Sequence, residues 1–131
     1  MANPSKAKGT RAETKVCKYL ESFGWVARRQ ALAGAADQGD IEAYRPDSVE
    51  KIIIEVKAGI QTKAPNRTQI NEWCRQADTE KENAGARSGV LIVVRYNRAI
   101  EDADVYIPYG KMRTHWYLED WVKSITRNDK E

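Results

Sequence analysis

One heptapeptide constrains this chain more than any other stretch: Lys51-Ile52-Ile53-Ile54-Glu55-Val56-Lys57. Branched side chains pack well on a pleated surface, and a short run of them reads as a buried strand. Side chains alternate along a strand, so Ile53, Glu55 and Lys57 share one face and Ile52, Ile54 and Val56 share the other. A carboxylate and an ammonium on a buried strand are costly to desolvate. Two readings stay open at this point. The charges form an ion pair at the strand's exposed end, or they belong to a functional cluster. The second reading needs another carboxylate, and Asp40 in Gly39-Asp40-Ile41-Glu42 supplies it.

The flanking sequence predicts the remaining elements. Residues 1–9 read as a flexible basic arm, 10–126 as one domain and 127–131 as a charged tail. Ala12, Val16, Tyr19, Leu20 and Phe23 repeat at helical spacing and predict a first helix over about 11–23. Thr10 stands where an N-cap is expected, and Gly24 where a helix stops. A strand is expected over 25–31, then a small-residue loop over 33–39 and a second strand over 40–44. Arg45-Pro46-Asp47-Ser48 is turn chemistry, so the second strand and the heptapeptide should form an antiparallel hairpin. A helix over about 68–84 buries Ile70, Trp73, Cys74 and Ala77. Val90-Leu91-Ile92-Val93-Val94 is apolar throughout and predicts a strand covered on both faces. A fifth strand is expected over 103–107. A last helix follows, capped by Thr114, with Leu118, Trp121, Val122 and Ile125 facing inward. The order α-β-β-β-α-β-β-α is that of an α/β fold around a mixed sheet flanked by helices.

At 131 residues the chain has room for one real core. Its net charge of +3 is only mildly basic and does not alone call for a polyanionic partner. No run approaches the roughly 18 apolar residues of a membrane span. The N-terminal stretch lacks the apolar centre of a secretory signal, so a cytoplasmic location is expected. The two cysteines, Cys17 and Cys74, read as reduced helix residues. The one histidine, His115, rules out a structural zinc set, which takes four Cys or His ligands, and has no evident role.

Antiparallel pairing can set Asp40 beside Glu55, with Cβ atoms roughly 5 Å apart when directly opposed. Two such carboxylates repel, and a proton, a basic group or a metal ion must compensate. Hard divalent cations prefer oxygen ligands, and magnesium commonly takes one or two carboxylates plus water and a substrate phosphate. Lys57 then lies beside the cation, placed to hold a water or to stabilise charge developing on phosphorus.

Gly39-Asp40, followed fifteen residues on by Glu55-Val56-Lys57, resembles the PD-(D/E)XK nuclease signature. The layout resembles that of archaeal-type Holliday junction resolvases over roughly residues 11–96, with Gly39 where the motif's name has proline. The resemblance implies a restriction-endonuclease-like α-β-β-β-α-β core and magnesium-dependent hydrolysis of DNA, manganese substituting. It implies that Asp40, Glu55 and the Val56 carbonyl hold the metal and that Lys57 serves the attacking water. Glu13 resembles the extra acid of many members and would complete the metal shell. Thr10-Arg11-Ala12-Glu13 also fits a capping box, which would make Glu13 structural. Glu42 reads as a solvated strand residue. Candidate DNA contacts are Lys6, Lys8, Arg11, Arg28, Arg29, Lys63, Arg67 and Arg75, through phosphates. A four-way junction needs two nicks, so a C₂ homodimer is expected, with Tyr106, Ile107, Tyr109, Met112, Trp116 and Tyr117 as its apolar material. The alternatives are a nuclease of this fold acting on duplex, flap or restriction-site DNA, and a catalytically inactive DNA-binding module.

Overall fold

The computed structural model describes residues 4–30 and 40–127, with side chains over 9–30 and 40–126. The expected small-residue loop over 33–39 lies outside the described residues, as do the side chains of Lys6 and Lys8.

Among the described residues, and apart from two short 3₁₀ turns, the helices and strands run in the order α1 (Pro4–Glu21), β1 (Val26–Arg29), β2 (Ile41–Tyr44), β3 (Ile52–Lys57), α2 (Arg67–Ala84), β4 (Ser88–Val93), β5 (Asp104–Tyr109), β6 (Met112–Tyr117) and α3 (Leu118–Arg127). The six strands make one mixed sheet whose spatial order is the chain order. Only β3 and β4 pair in parallel, and α2 is the crossover between them. The α/β class holds, with helices on both faces.

Residues 52–57 of the heptapeptide form the strand β3, every residue of which is buried but Lys57. Its two faces feed two cores. Ile52, Ile54 and Val56 pack with Ala12, Val16 and Leu20 of α1 and with Leu118, Trp121 and Val122 of α3. On the other face α2 lays Ile70, Trp73 and Ala77 on Leu91, Val93 and Tyr106. Gly89 lets α2 approach β4: a Cβ there would come within 2.8 Å of the Ala77 carbonyl oxygen. Asn66 caps α2, accepting from the Gln69 N–H at 2.8 Å while the Gln69 side chain bonds back to the Asn66 N–H. The two cysteines are free and buried, one in each core. Among the described residues no helix is long and apolar enough to cross a membrane.

Three expectations need correction. Helix α1 begins at Pro4, not near Arg11. Proline suits a helix's first turn, where its missing N–H is not needed. Residues 4–9 are therefore helical, and Thr10 lies inside the helix, where its carbonyl accepts from the Thr14 hydroxyl at 2.9 Å. The capping-box reading of Thr10 and Glu13 falls with it. Second, residues 112–117 form a strand that the sequence reading gave partly to the last helix. Gly110, at φ 63°, opens a two-residue turn between paired Tyr109 and Met112, the glycine position of a primed hairpin turn. Thr114 sits in this strand and caps nothing. Third, of the apolar residues expected at an interface, Tyr106 is buried under α2 and Ile107 is partly buried, while Tyr109, Met112, Trp116 and Tyr117 are exposed.

Candidate active site

The candidate residues gather at the end of the sheet toward which β3 and β4 both run. β2 begins there, and Ile41 pairs with Ile54. The Asp40 N–H bonds the Ile54 carbonyl at 3.1 Å, one residue off that register. The slip bends the strand's entry and turns the Asp40 side chain across the end of the ladder. There Asp40 Oδ2 accepts the Val56 N–H at 2.8 Å.

Glu55 stands next to it, only 3% exposed. Its Oε2 is 3.0 Å from Lys57 Nζ, two residues along the same face. Its Oε1 is buried and has no hydrogen-bond donor among the described residues. Burial first, and then the charge of Glu55, push the Asp40 carboxyl up to about 7, and a hydrogen bond with Glu55 adds to the rise; the Val56 N–H and Lys57 oppose it. One ammonium therefore serves two crowded carboxylates, and one oxygen is left over.

The backbone adds a further oxygen. Neighbouring residues of a strand aim their peptide groups to opposite sides. The Lys57 carbonyl accepts from Val94 N–H on the β4 side at 2.8 Å, whereas the Val56 N–H points to the β2 side. The Val56 carbonyl therefore shares the β2 side with Asp40, beyond the last paired residues of that ladder. Glu55 Oε1, an Asp40 oxygen and this carbonyl form an all-oxygen donor set that fits a hard divalent cation.

Glu13 is not part of that group. It rises from α1, on the face opposite Glu55 and Lys57, and its Oε1 accepts from Arg29 Nε at 2.9 Å. Burial raises its carboxyl pKa, the Arg29 hydrogen bond lowers it, and the charge of Asp40 raises it further, so the two acids sense each other around the sheet edge. Among the described residues no three acidic, histidine or cysteine side chains converge as one cation cage. Two carboxylates with a carbonyl suffice for magnesium, which keeps several waters.

Glu42 is engaged elsewhere, accepting from the Tyr44 hydroxyl at 2.7 Å and lying 3.8 Å from Lys51 Nζ, as a solvated strand residue would. Arg28 and Arg29 are adjacent on β1 and so face opposite sides of the sheet: Arg28 sits across from Glu42, and Arg29 meets Glu13. Lys63 and Arg67 are exposed on the connection from β3 into α2. That connection is tied down by Thr62, whose hydroxyl donates to the Gly59 carbonyl at 2.7 Å and lies 3.0 Å from that of Val94. Arg75, exposed on α2, is paired with Glu72. Arg11 is exposed and lines a hollow with Lys15, Gly59, Arg95 and Arg98.

Sequence reasoning missed a second polar group at the same sheet end. Asp104, at the start of β5, is buried beneath Arg95 and His115. The partners come from β6 and from the turn after β4, so only the β4-β5-β6 register brings them together.

No protein-family model matches the chain, and no curated protein matches it. A solved structure does: Hjc of Archaeoglobus fulgidus, a Holliday junction resolvase from an archaeal hyperthermophile. It superposes with a TM-score of 0.54 at 21% sequence identity, over 89% of this chain and 93% of that one. At that identity the likeness establishes the fold, and the chain has the fold of the Archaeoglobus resolvase.

Proposed function

We propose that this chain is a metal-dependent endonuclease that hydrolyses phosphodiester bonds of branched DNA, with the four-way Holliday junction as its substrate. The observation that carries the reading is the buried Oε1 of Glu55, which no N–H or hydroxyl reaches among the described residues, crowded against the Asp40 carboxyl. A protein does not ordinarily bury an unpaired carboxylate oxygen unless something absent from the chain completes it. The solved neighbour of the same fold is a junction resolvase, which directs the choice of substrate.

Asp40, Glu55 and the Val56 carbonyl would hold magnesium, with manganese as a substitute. A divalent cation bound there supplies an acidified water and neutralises charge on the phosphate. Lys57 donates from its ammonium to the attacking water or to a phosphate oxygen, and its bond to Glu55 keeps it aimed at the cluster. Glu13 and Arg29 form the rim on the α1 side, where Glu13 can reach the reacting water through a second water. Lys63, Arg67 and Arg11, together with Lys6, Lys8, Arg28 and Arg75, would contact phosphates and set affinity without reading sequence.

One chain carries one such cluster, and a junction needs two cuts. The reading therefore pairs two copies about a two-fold axis. The exposed Tyr109, Met112 and Trp116 of the β5-β6 hairpin supply apolar surface for that contact. The reading has the protein act in the cytoplasm, which suits its two free thiols.

The test is cleavage of a panel of four-way, flap, duplex and single-stranded DNAs with magnesium, manganese or chelator. Paired nicks in the four-way substrate, dependent on metal, are expected. Equal cutting of duplex DNA would replace the junction reading by a general nuclease of this fold. DNA binding without any cutting would favour an inactive binding module.

A further inference from the structure

Two strands along from Lys57, a hollow of about 340 Å³ opens between Arg95, Arg98, Asp102, Asp104, His115 and Tyr117. Its floor is the Asp104 carboxylate, 2% exposed. Asp104 Oδ1 lies 2.7 Å from His115 Nε2, and Oδ2 accepts from Arg95 Nε. The imidazole is sandwiched: it stacks on Tyr106 at 4.8 Å between ring centres and meets the edge of Tyr117 at 5.4 Å. The Arg95 guanidinium and the His115 ring are thus both held by one buried carboxylate. Each keeps unspent hydrogen-bonding capacity toward the hollow. Arg95 retains its two terminal nitrogens, and His115 retains Nδ1.

A bland account exists. A buried carboxylate needs a counter-charge and hydrogen bonds, and Arg95 supplies the one while His115 adds to the other. That account does not cover Arg98, which is exposed at the rim and has no side-chain partner among the described residues. Nor does it cover the adjoining hollow, which shares Arg95 and Arg98 and adds Arg11 and Lys15. Asp102 is the opposing charge at the rim. The sheet register fixes the relation to the acid pair: Lys57 pairs with Val93, Val93 with Asp104 and Asp104 with Tyr117. Paired residues share a face, so the hollow and Lys57 open on the same side, two strands or roughly 10 Å apart. That is the axial reach of about three steps of a bound duplex strand at ~3.4 Å each.

We infer that this hollow is a phosphate subsite for the DNA backbone, holding a phosphodiester about three steps along from the one cleaved. The Arg95 fork and Arg98 donate to its oxygens. A phosphate bound there favours the ring carrying protons on both nitrogens, Nε2–H donating to Asp104 and Nδ1–H to the phosphate. Asp104 orients both groups and does not itself touch the ligand. The choice of ligand rests on the nuclease reading, since the phosphate is taken to come from the same DNA.

His115 is the chain's one histidine, so its ring nitrogens give an unambiguous NMR signal. The experiment follows those ¹⁵N resonances in full-length Glu55→Gln protein during separate titrations with short duplex DNA and with inorganic phosphate. Anisotropy binding of the same DNA to the Glu55→Gln protein and to the Glu55→Gln, Arg98→Gln double variant accompanies it. The expected result is a His115 Nδ1 shift on adding DNA. Arg98→Gln should weaken binding about fivefold and lower the salt slope by about one. DNA that binds with His115 silent and Arg98→Gln at full affinity overturns the subsite and leaves the nuclease reading intact. A His115 response to inorganic phosphate but not to bound DNA also overturns it, making the hollow a free-phosphate pocket. A His115 response to DNA in a wild-type protein that cuts nothing supports the subsite and removes the nuclease reading.

Discussion

Removing the charge of Asp40 should stabilise the metal-free protein while ending its activity. Asp40→Asn keeps a side-chain oxygen for the Val56 N–H, which Asp40 Oδ2 accepts at 2.8 Å. It also removes a carboxylate that burial and Glu55 push from an ordinary 3.8 up to about 7. Between those values the folded chain holds a proton that the unfolded chain has released. The favourable contribution of Asp40 is therefore fully present below about pH 4 and is lost as pH rises through about 7. A tenfold change in proton affinity is about 1.4 kcal/mol, so the full difference would be about 4 kcal/mol. Asp40 is partly exposed, and screening by solvent leaves about 1–2 kcal/mol. For a chain of this size that is about 4–8 °C in melting temperature. In chelator at about pH 8, Asp40→Asn should melt higher by that amount, and the gap should close toward about pH 4. Magnesium should raise the melting temperature of the wild type by mass action and leave the variant nearly unmoved. A variant that melts lower than wild type at about pH 8, or a gap that does not change with pH, would refute the reasoning.

Three further outcomes follow from the packing. Thr10→Ala, at a helix-interior position, should change stability by less than about 0.5 kcal/mol in urea unfolding; a loss near 1 kcal/mol would restore the N-cap. Gly89→Ala should cost about 1–3 kcal/mol, because its methyl meets the Ala77 carbonyl, and an unchanged urea midpoint would show that α2 does not pack that closely. Glu13→Gln should cost under about 1 kcal/mol, since its Arg29 partner is exposed, yet slow cleavage severely if Glu13 serves the reacting water; wild-type rates would confine Glu13 to a structural pairing with Arg29.

What could be read from the sequence was what local pattern controls. Strands β3 and β4 announce themselves through unbroken branched and apolar runs, and their charged exceptions, Glu55 and Lys57, mark the site. Helix α2 shows its apolar stripe, while its Asn66 cap emerges only in the structure. The first turns of α1 left no trace, since residues 4–9 carry no apolar stripe for periodicity to detect. Strand β6 was obscured because both its faces mix polar and aromatic residues, so no clean alternation separates it from the helix that follows. Side-chain placement across the sheet was harder still. That Glu13 stands on the face opposite Glu55 depends on which layer α1 joins. That His115 has a partner depends on a register linking residues eleven positions apart.

The central claim is that Asp40, Glu55 and Lys57 form a metal-dependent phosphodiesterase site. Its most direct test is single-turnover cleavage of a ³²P-labelled four-way junction by wild type, Glu55→Gln and Lys57→Ala, each bound to saturation, with magnesium and with chelator. The account expects metal-dependent nicking by the wild type alone, with both variants slowed at least about a hundredfold while still binding the junction. Nicking that persists in chelator, or that survives undiminished in either variant, would contradict it.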